Sequence, residues 1–146
     1  GGVNDTLAAL LGLHDTSPFG ECDIGRVGTL AAPMDAETFA GQVKRLLGAP
    51  FVLLADAGVP VCRVAVMGGE GGDDVEAAKA AGADTYLSGR LGYHTMTDAP
   101  EGGMNLIEAG HFYTENPVCA TLQRMLKEIA PDLACDLFFS GNIRAL

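Results

Sequence analysis

The feature that most constrains the fold is a regular alternation of strand and helix patterns along the 146 residues. Short apolar segments, typical of buried strands, alternate with segments whose apolar residues recur every three or four positions, as on one face of a helix. The predicted strands cover residues 24–30, 51–54, 61–67, 84–88, 105–109 and 133–139. This order predicts one α/β domain, with a largely parallel or mixed sheet layered between covering helices.

The predicted helices have recognisable boundaries. Asn4 or Asp5 is a suitable N-cap for the first helix, because a short polar side chain can accept a hydrogen bond from a free backbone N–H group. Asp35 is a suitable N-cap for the second helix, and Gly48 is a suitable end for it. The other two helices are predicted over residues 75–81 and 117–130.

The composition argues against two classes of partner. The apolar runs are short and broken by Gly, Asp or Pro, so no segment approaches the ~20 apolar residues that a membrane-spanning helix needs. A net charge of -10 and only nine scattered Lys and Arg residues argue against nucleic acid. The four cysteines form no C-x-x-C pair, which predicts reduced thiols in a cytoplasmic protein.

A histidine and a carboxylate lie four residues apart where the predicted strand 105–109 gives way to a helix. These residues are His111 and Glu115. Imidazole nitrogens and carboxylate oxygens are common ligands of zinc, iron and manganese, and ligands usually bind at this edge of an α/β sheet. The alternative is a partly buried histidine beside a glutamate that favours the positive end of a helix dipole.

Three other segments are candidates for a site. Residues 68–74 occupy the position of a phosphate-binding loop, but they lack the Walker lysine and carry three carboxylates, so a glycine turn with positive φ angles is favoured. His94 follows the strand 84–88 and is either a proton shuttle or substrate contact, or a histidine held by backbone hydrogen bonds. His14 is predicted to be a solvated side chain in a polar loop. No catalytic residue is assigned.

Five motifs, in this order, resemble the NIF-three-like family, whose members are also called dinuclear-metal-centre hexameric proteins or GTP cyclohydrolase type two homologues. The motifs cover residues 1–5, 24–28, 68–72, 89–94 and 109–115, and the last of them contains His111 and Glu115. The resemblance extends over nearly the whole chain. It departs from the family at Arg90, where an acidic residue is typical, and this change of charge favours an anionic substrate.

The resemblance implies an α/β protein of two similar halves, assembled as a homo-hexameric ring, with two zinc, iron or manganese ions between the halves. His111 and Glu115 are then metal ligands. The other ligands are an adjacent pair of histidines and an aspartate upstream of the first motif, and neither occurs in this sequence. We therefore expect the carboxy-terminal portion of a longer family member, with residues 1–48 as the tail of the first half and 49–146 as the second half.

Two functions remain open on this resemblance. The first is a metal-dependent hydrolase that acts on a nucleotide such as GTP, because two metal ions can generate hydroxide and polarise the bond that it attacks. The second is a non-enzymatic metal-binding ring that serves as a scaffold, chaperone or regulatory protein. A chain that assembles through its sheet without metal is a third possibility. With two ligands, this chain is expected to bind metal weakly or not at all, and to be inactive by itself.

Overall fold

The computed structural model describes residues 1–140 and 143, and it contains one six-stranded sheet. The strands are β1 (His14–Phe19), β2 (Gly25–Met34), β3 (Leu53–Ala55), β4 (Val61–Glu70), β5 (Thr85–Arg90) and β6 (Asn105–Glu108). The α-helices are α1 (Val3–Leu10), α2 (Ala36–Leu47), α3 (Val75–Ala80), α4 (Tyr93–Asp98), α5 (His111–Glu115) and α6 (Pro117–Ile129). Short 3-10 helices cover Glu21–Asp23, Gly72–Asp74 and Ala99–Gly102.

The sheet is mixed, with the strand order β1-β2-β4-β5-β6-β3. Strands β4, β5 and β6 run parallel, and Leu87 pairs with Val66 on one side and with Ile107 on the other. The pairs β1–β2, β2–β4 and β6–β3 are antiparallel. The carboxyl ends of the three parallel strands therefore lie at one edge of the sheet. The predicted α/β fold with a mixed sheet is confirmed.

Helices cover both faces of the central strands. Val64 and Val66 in β4 belong to the apolar cluster that includes residues of α1 and α2, whereas Ala65 and Met67 belong to the cluster that includes residues of α3. This division follows from the alternation of side chains along a strand. Strand β5 is buried along most of its length, as expected for a parallel strand that is covered on both faces. No helix in the described part of the chain is long and apolar enough to cross a membrane.

Of the two predicted N-caps, one is confirmed and one is wrong. Asp35 caps α2 as predicted, because its carboxylate accepts a hydrogen bond from the Thr38 N–H group, and Gly48 ends the helix with φ of 63°. The N-cap predicted for α1 is wrong, because the N-cap is Gly2 and Asp5 is the third residue of the helix, in its first turn. Asn4 instead links distant segments: its amide donates to Ile24 O (2.9 Å) and its Oδ1 accepts from Gly68 N (2.7 Å).

Two further predictions are corrected by strand pairing. The segment that begins at His14, predicted as a polar loop, is the edge strand β1, because its backbone pairs with β2 while most of its side chains, including that of His14, stay in solvent. The predicted strand 133–139 is absent from the described residues. An isolated strand needs a neighbour to satisfy its backbone groups, and no described strand pairs with this segment.

Helix α6 forms as predicted, but its apolar stripe is exposed. Leu122, Met125 and Leu126 are each more than 40% exposed. The extended segment that follows turns back along the domain, where Gln123 Nε2 donates to Cys135 O at 2.6 Å. The ring of Phe139 packs edge to face against the ring of Phe112 in α5, with the ring centroids 5.0 Å apart.

An ion pair between Asp5 and Arg26 ties α1 to β2. The Arg26 Nε atom lies 2.5 Å from Asp5 Oδ1, and 36% of the Asp5 side chain remains exposed. Hydrogen bonds from the Arg26 guanidinium and from Gly2 N–H lower the pKa of Asp5 from 3.8 to about 2. The charged carboxylate therefore stabilises the folded state, and water screens part of this effect.

Asp5→Asn is expected to lower the free energy of unfolding near neutral pH by about 1 kcal/mol, a value reduced for partial exposure. The contribution of Asp5 is fully present above the unfolded pKa of 3.8 and is lost as the pH falls through about 2. The difference between the wild type and the variant should therefore shrink over that range. Urea unfolding at several pH values measures it, and a difference that stays constant down to pH ~2 would contradict the assignment.

Candidate metal centre

His111 and Glu115 are the first and last residues of α5. They lie one turn apart on the same side of the helix, with Nε2 of His111 3.3 Å from Oε2 of Glu115. Their side chains are 56% and 46% exposed, respectively. The helix predicted over residues 117–130 left Glu115 outside any helix. The structure corrects this, because a separate short helix holds both side chains together.

The position of α5 follows from its connection to the sheet. Beyond the end of β6, Ala109 N donates to Ser88 O (2.9 Å) and Gly110 N donates to Gly89 O (3.0 Å), so the chain stays paired with β5 for two more residues. Gly110 then adopts φ of 87°, which glycine tolerates far better than other residues, and the helix begins at His111. The predicted ligands therefore lie at the carboxyl edge of the parallel strands, as expected.

Glycines allow the sheet edge to approach α5 closely. A β-carbon on Gly69 would lie 2.6 Å from Glu115 Oε1 and 3.2 Å from His111 Nε2. A β-carbon on Gly89 would lie 2.4 Å from Gly69 O and 2.8 Å from the Cα atom of His111. Because Gly69 lacks a side chain, the space beside the two donor atoms stays open, and because Gly89 lacks one, the backbone of α5 can approach the sheet.

The hydrogen bonds of the glycine loop 68–74 favour a structural turn over a phosphate-binding cradle. Three of its amides are already used: Gly68 N donates to Asn4 Oδ1, Gly69 N to Thr114 Oγ1 and Gly71 N to a backbone oxygen of β5. The explanation by positive φ angles holds for Gly69, with φ of 76°, but for none of the other glycines of the loop. At those positions, the glycine is required by close contacts with neighbouring atoms.

Side chains of β5 hold the same loop from the sheet. The Tyr86 hydroxyl donates to Gly71 O at 2.9 Å, and burial raises the pKa of Tyr86, so the hydroxyl stays a donor. The Ser88 hydroxyl lies 3.4 Å from Gly69 O, at the long end of a hydrogen bond. The loop that faces His111 is thus fixed to the central strand of the parallel group.

The donor pair fits a metal ion in chemistry and spacing. One imidazole nitrogen and one carboxylate oxygen suit zinc, iron or manganese. Two ligands at about 2.0–2.1 Å from a tetrahedral zinc ion lie about 3.3 Å apart, which is close to the separation of His111 Nε2 and Glu115 Oε2. Within residues 1–140 and 143, no group of three or more His, Cys, Asp or Glu side chains is arranged to hold a metal ion. The pair is therefore two ligands of a site, and not a complete one.

His94 and Arg90 lie at the same edge of the sheet but are not joined to the pair. His94 is exposed on α4, where its ring contacts that of Tyr93 with centroids 5.7 Å apart. Arg90 is exposed at the end of β5, opposite Glu70. Among the residues that the structure describes, neither side chain has a hydrogen bond or an ion pair with His111 or Glu115.

Sequence reasoning missed two residues that organise this edge. Glu108 accepts hydrogen bonds at Oε2 from Leu91 N (2.7 Å) and Gly92 N (3.4 Å), which fixes the loop that leads to His94. Thr114, 1% exposed, contacts the glycine loop from within α5. The available signal was the position of these polar residues directly beside the predicted ligand motif.

Together these features define an α/β protein with a histidine–glutamate pair suited to metal at the carboxyl edge of its parallel strands. Residues 1–144 match the model of the family described as Duf34/NIF3 (NGG1p interacting factor 3). The chain belongs to this family, as the sequence motifs predicted.

Relatives and solved structures agree with this assignment. The chain is 33% identical to the GTP cyclohydrolase 1 type 2 homolog of Nostoc sp., over 88% of this chain and 51% of the relative. It is 35% identical to the homolog of Clostridium perfringens, over 88% and 52% of the two chains. The structure of a Bacillus cereus protein related to NIF3 matches with a TM-score of 0.72 and 29% identity, over 84% of this chain and 36% of that one. The chain thus spans about half the length of these curated relatives.

Proposed function

We propose that His111 and Glu115 are two ligands of a dinuclear metal centre, and that the protein is a metal-dependent hydrolase acting on a nucleotide such as GTP. The observation that carries the proposal is the donor pair on α5, with its two donor atoms 3.3 Å apart beside the gap at Gly69. The names of the relatives, GTP cyclohydrolase 1 type 2 homologs, support the class of substrate.

Each residue has a defined part in this proposal. The neutral imidazole of His111 offers the lone pair of Nε2, and the Glu115 carboxylate offers an anionic oxygen. Bound divalent ions, whether zinc, iron or manganese, supply a water of lowered pKa and stabilise negative charge during hydrolysis. The exposed guanidinium of Arg90 offers a positive charge at the same sheet edge for an anionic group of the substrate.

Two ligands are fewer than the three that a catalytic metal usually takes from a protein. The resemblance implies that an adjacent histidine pair and an aspartate upstream of the first motif complete the set, and the 146 residues contain no adjacent histidine pair. We therefore propose that this chain alone holds metal weakly and has no hydrolase activity. The further proposals are a cytoplasmic location, which the four free cysteines support, and a homo-hexamer, which light scattering of the natural gene product tests.

The test uses the natural gene product that contains these residues, loaded with Zn²⁺, Mn²⁺ or Fe²⁺ and incubated with GTP and a panel of phosphoesters. Chromatography of the products is expected to show turnover that chelation abolishes and that metal restores. Protein that carries two metal ions per subunit and leaves every substrate intact would overturn the hydrolase proposal. A metal-binding scaffold, chaperone or regulatory protein would then be the correct interpretation.

Gly69→Ala is expected to weaken binding of Zn²⁺ to the 146-residue chain by about tenfold, because the new methyl group displaces the Glu115 carboxylate and crowds His111. It also costs about 1 kcal/mol of stability through its left-handed backbone. Titration of Zn²⁺ followed by the NMR signals of His111 measures the first effect.

Gly48→Ala is the matched control for this substitution. Gly48 also has a left-handed backbone, with φ of 63°, but a β-carbon there would meet nothing within 4 Å. The control should lose similar stability and keep the wild-type affinity for Zn²⁺. Equal affinities in the two alanine variants would contradict the part assigned to Gly69.

A further inference from the structure

The side chain of Thr114, which lies between the two proposed ligands in the sequence, points into the protein. Thr114 precedes Glu115 on α5, yet it is 1% exposed, whereas both proposed ligands are about half exposed. A buried hydroxyl needs hydrogen-bond partners, because an unpaired polar group away from water is costly. The hydrogen-bond partners of Thr114 therefore show which part of the chain this side of α5 contacts.

The Thr114 hydroxyl joins the helix to the glycine loop. Its Oγ1 accepts a hydrogen bond from Gly69 N (3.1 Å) and lies within donor range of His111 O (2.9 Å) and Gly110 O (3.1 Å). A threonine hydroxyl commonly donates to the carbonyl three or four residues earlier in a helix. The Thr114 hydroxyl therefore donates its proton to a carbonyl oxygen of Gly110 or His111, and its oxygen accepts the hydrogen bond from Gly69 N–H.

The hydrogen bond from Gly69 N–H to Thr114 holds the residue that faces the donor atoms of His111 and Glu115. Gly69 is the position whose missing β-carbon leaves room for Glu115 Oε1 and His111 Nε2. Its N–H group is bonded by Thr114, and its carbonyl oxygen lies 3.4 Å from the Ser88 hydroxyl. The distance between the Gly69 backbone and the two donors is therefore set by the Thr114 hydroxyl on one side and by β5 on the other.

We propose that Thr114 is a positioning residue for the metal site: its hydroxyl fixes the Gly69 backbone against α5, so that His111 and Glu115 face one shared space. This inference rests on the proposed role of these two residues as ligands. Thr114 itself lies too deep to bind the metal and acts through its neighbours. Outer contacts of this kind typically change metal affinity by about 10–100-fold when they are removed.

Thr85 provides a matched control within the same chain. It is also fully buried, and its hydroxyl likewise both donates and accepts, donating to Asp84 Oδ1 (2.8 Å) and accepting from Asn105 Nδ2 (3.1 Å). It lies at the start of β5, at the opposite end of the strand from Gly89 and α5. Loss of the Thr85 hydroxyl therefore disturbs a buried network without touching the metal edge.

The experiment titrates Zn²⁺ into the 146-residue chain and follows the imidazole signals of His111 by NMR. Thr114→Val replaces the hydroxyl with a methyl group of similar size, and Thr114→Ala removes both the hydroxyl and the methyl group. Both variants are expected to raise the dissociation constant about tenfold or more. Thr114→Ser, which keeps the hydroxyl, should restore most of the affinity. Thr85→Val should lower the midpoint of urea unfolding and leave the dissociation constant unchanged.

The possible outcomes separate this inference from the proposed function. Binding that depends on His111 and Glu115 but has the wild-type affinity in both Thr114→Val and Thr114→Ala overturns the positioning role alone. An equal loss of affinity in Thr85→Val also overturns it, because a general loosening of the fold would then explain the effect. If Thr114→Val does not fold, the alanine variant decides. Zn²⁺ binding that is unaffected by substitution of His111 and Glu115 overturns the proposed ligands instead.

Discussion

His111→Ala is expected to abolish the binding of Zn²⁺ at α5, with a loss of affinity of about 100-fold or more, or about 2.7 kcal/mol. The reason is that the imidazole is one of only two donors that the described part of the chain brings together. A single carboxylate competes poorly with water for a divalent ion. Isothermal titration and NMR titration of the purified chain measure the loss.

Two controls make this result specific. Glu115→Gln keeps the size of the side chain but removes the anionic oxygen, so it should weaken binding in the same way. His14→Ala removes another exposed histidine, on the edge strand β1, and should leave the affinity unchanged. If the His14 and His111 variants lose affinity equally, Zn²⁺ binds to exposed imidazoles without a defined site.

His111→Ala should have little effect on stability. The His111 and Glu115 side chains are half exposed, and an exposed pair one turn apart contributes only about 0.3–0.5 kcal/mol. A large change in metal affinity with an almost unchanged unfolding midpoint would therefore mark a residue retained for binding. The opposite result would support the alternative of a histidine that serves the fold.

The sequence predicted those elements whose physical causes are local. Asp35 and Gly48 mark the ends of α2 because an N-cap and a left-handed C-cap depend on adjacent residues only. The continuous apolar run from Val64 to Met67 in β4 reflects burial on both faces of the sheet, and it is visible in the sequence. The same reasoning located His111 at the correct edge of the sheet.

The predictions failed where the cause lay in another segment of the chain. The polar strand β1 forms because β2 pairs with it, and residues 133–139 form no strand because no described strand pairs with them. Asp5 looked like a cap, but its carboxylate bonds to Gly2 N–H and to Arg26 in β2. Strand pairing and long-range ion pairs leave no local pattern that could have revealed them.

In the candidate site, too, the features with local causes could be predicted and those that depend on distant residues could not. The ligand motif could be found by its spacing, but a helix as short as α5 has too few residues to show a helical period. The contacts of Gly69 with His111 and Thr114 join residues more than 40 positions apart. Only the folded chain shows that Gly69 of this loop faces both donor atoms. The role of that pair in metal binding stays a prediction.

Gly89→Ala is expected to lower the free energy of unfolding by about 3 kcal/mol or more. The added β-carbon would lie 2.4 Å from Gly69 O, 2.6 Å from Thr114 Oγ1 and 2.8 Å from the Cα atom of His111. Two of these three atoms belong to the backbone, so movement of a side chain alone cannot relieve the clash. Relief requires α5 to separate from the sheet, which breaks the hydrogen bond from Gly110 N to Gly89 O.

Gly41→Ala makes the same chemical change in open space. Gly41 lies inside α2 without a left-handed backbone, and the nearest atom to an added β-carbon is a terminal nitrogen of Arg45 at 3.7 Å. This variant should gain about 0.5–1 kcal/mol, because alanine favours a helix more than glycine does. Urea unfolding of both variants measures the contrast. If Gly89→Ala is as stable as the wild type, α5 does not lie as close to the sheet edge as these distances require. The arrangement of His111 and Glu115 beside Gly69 would then also be wrong.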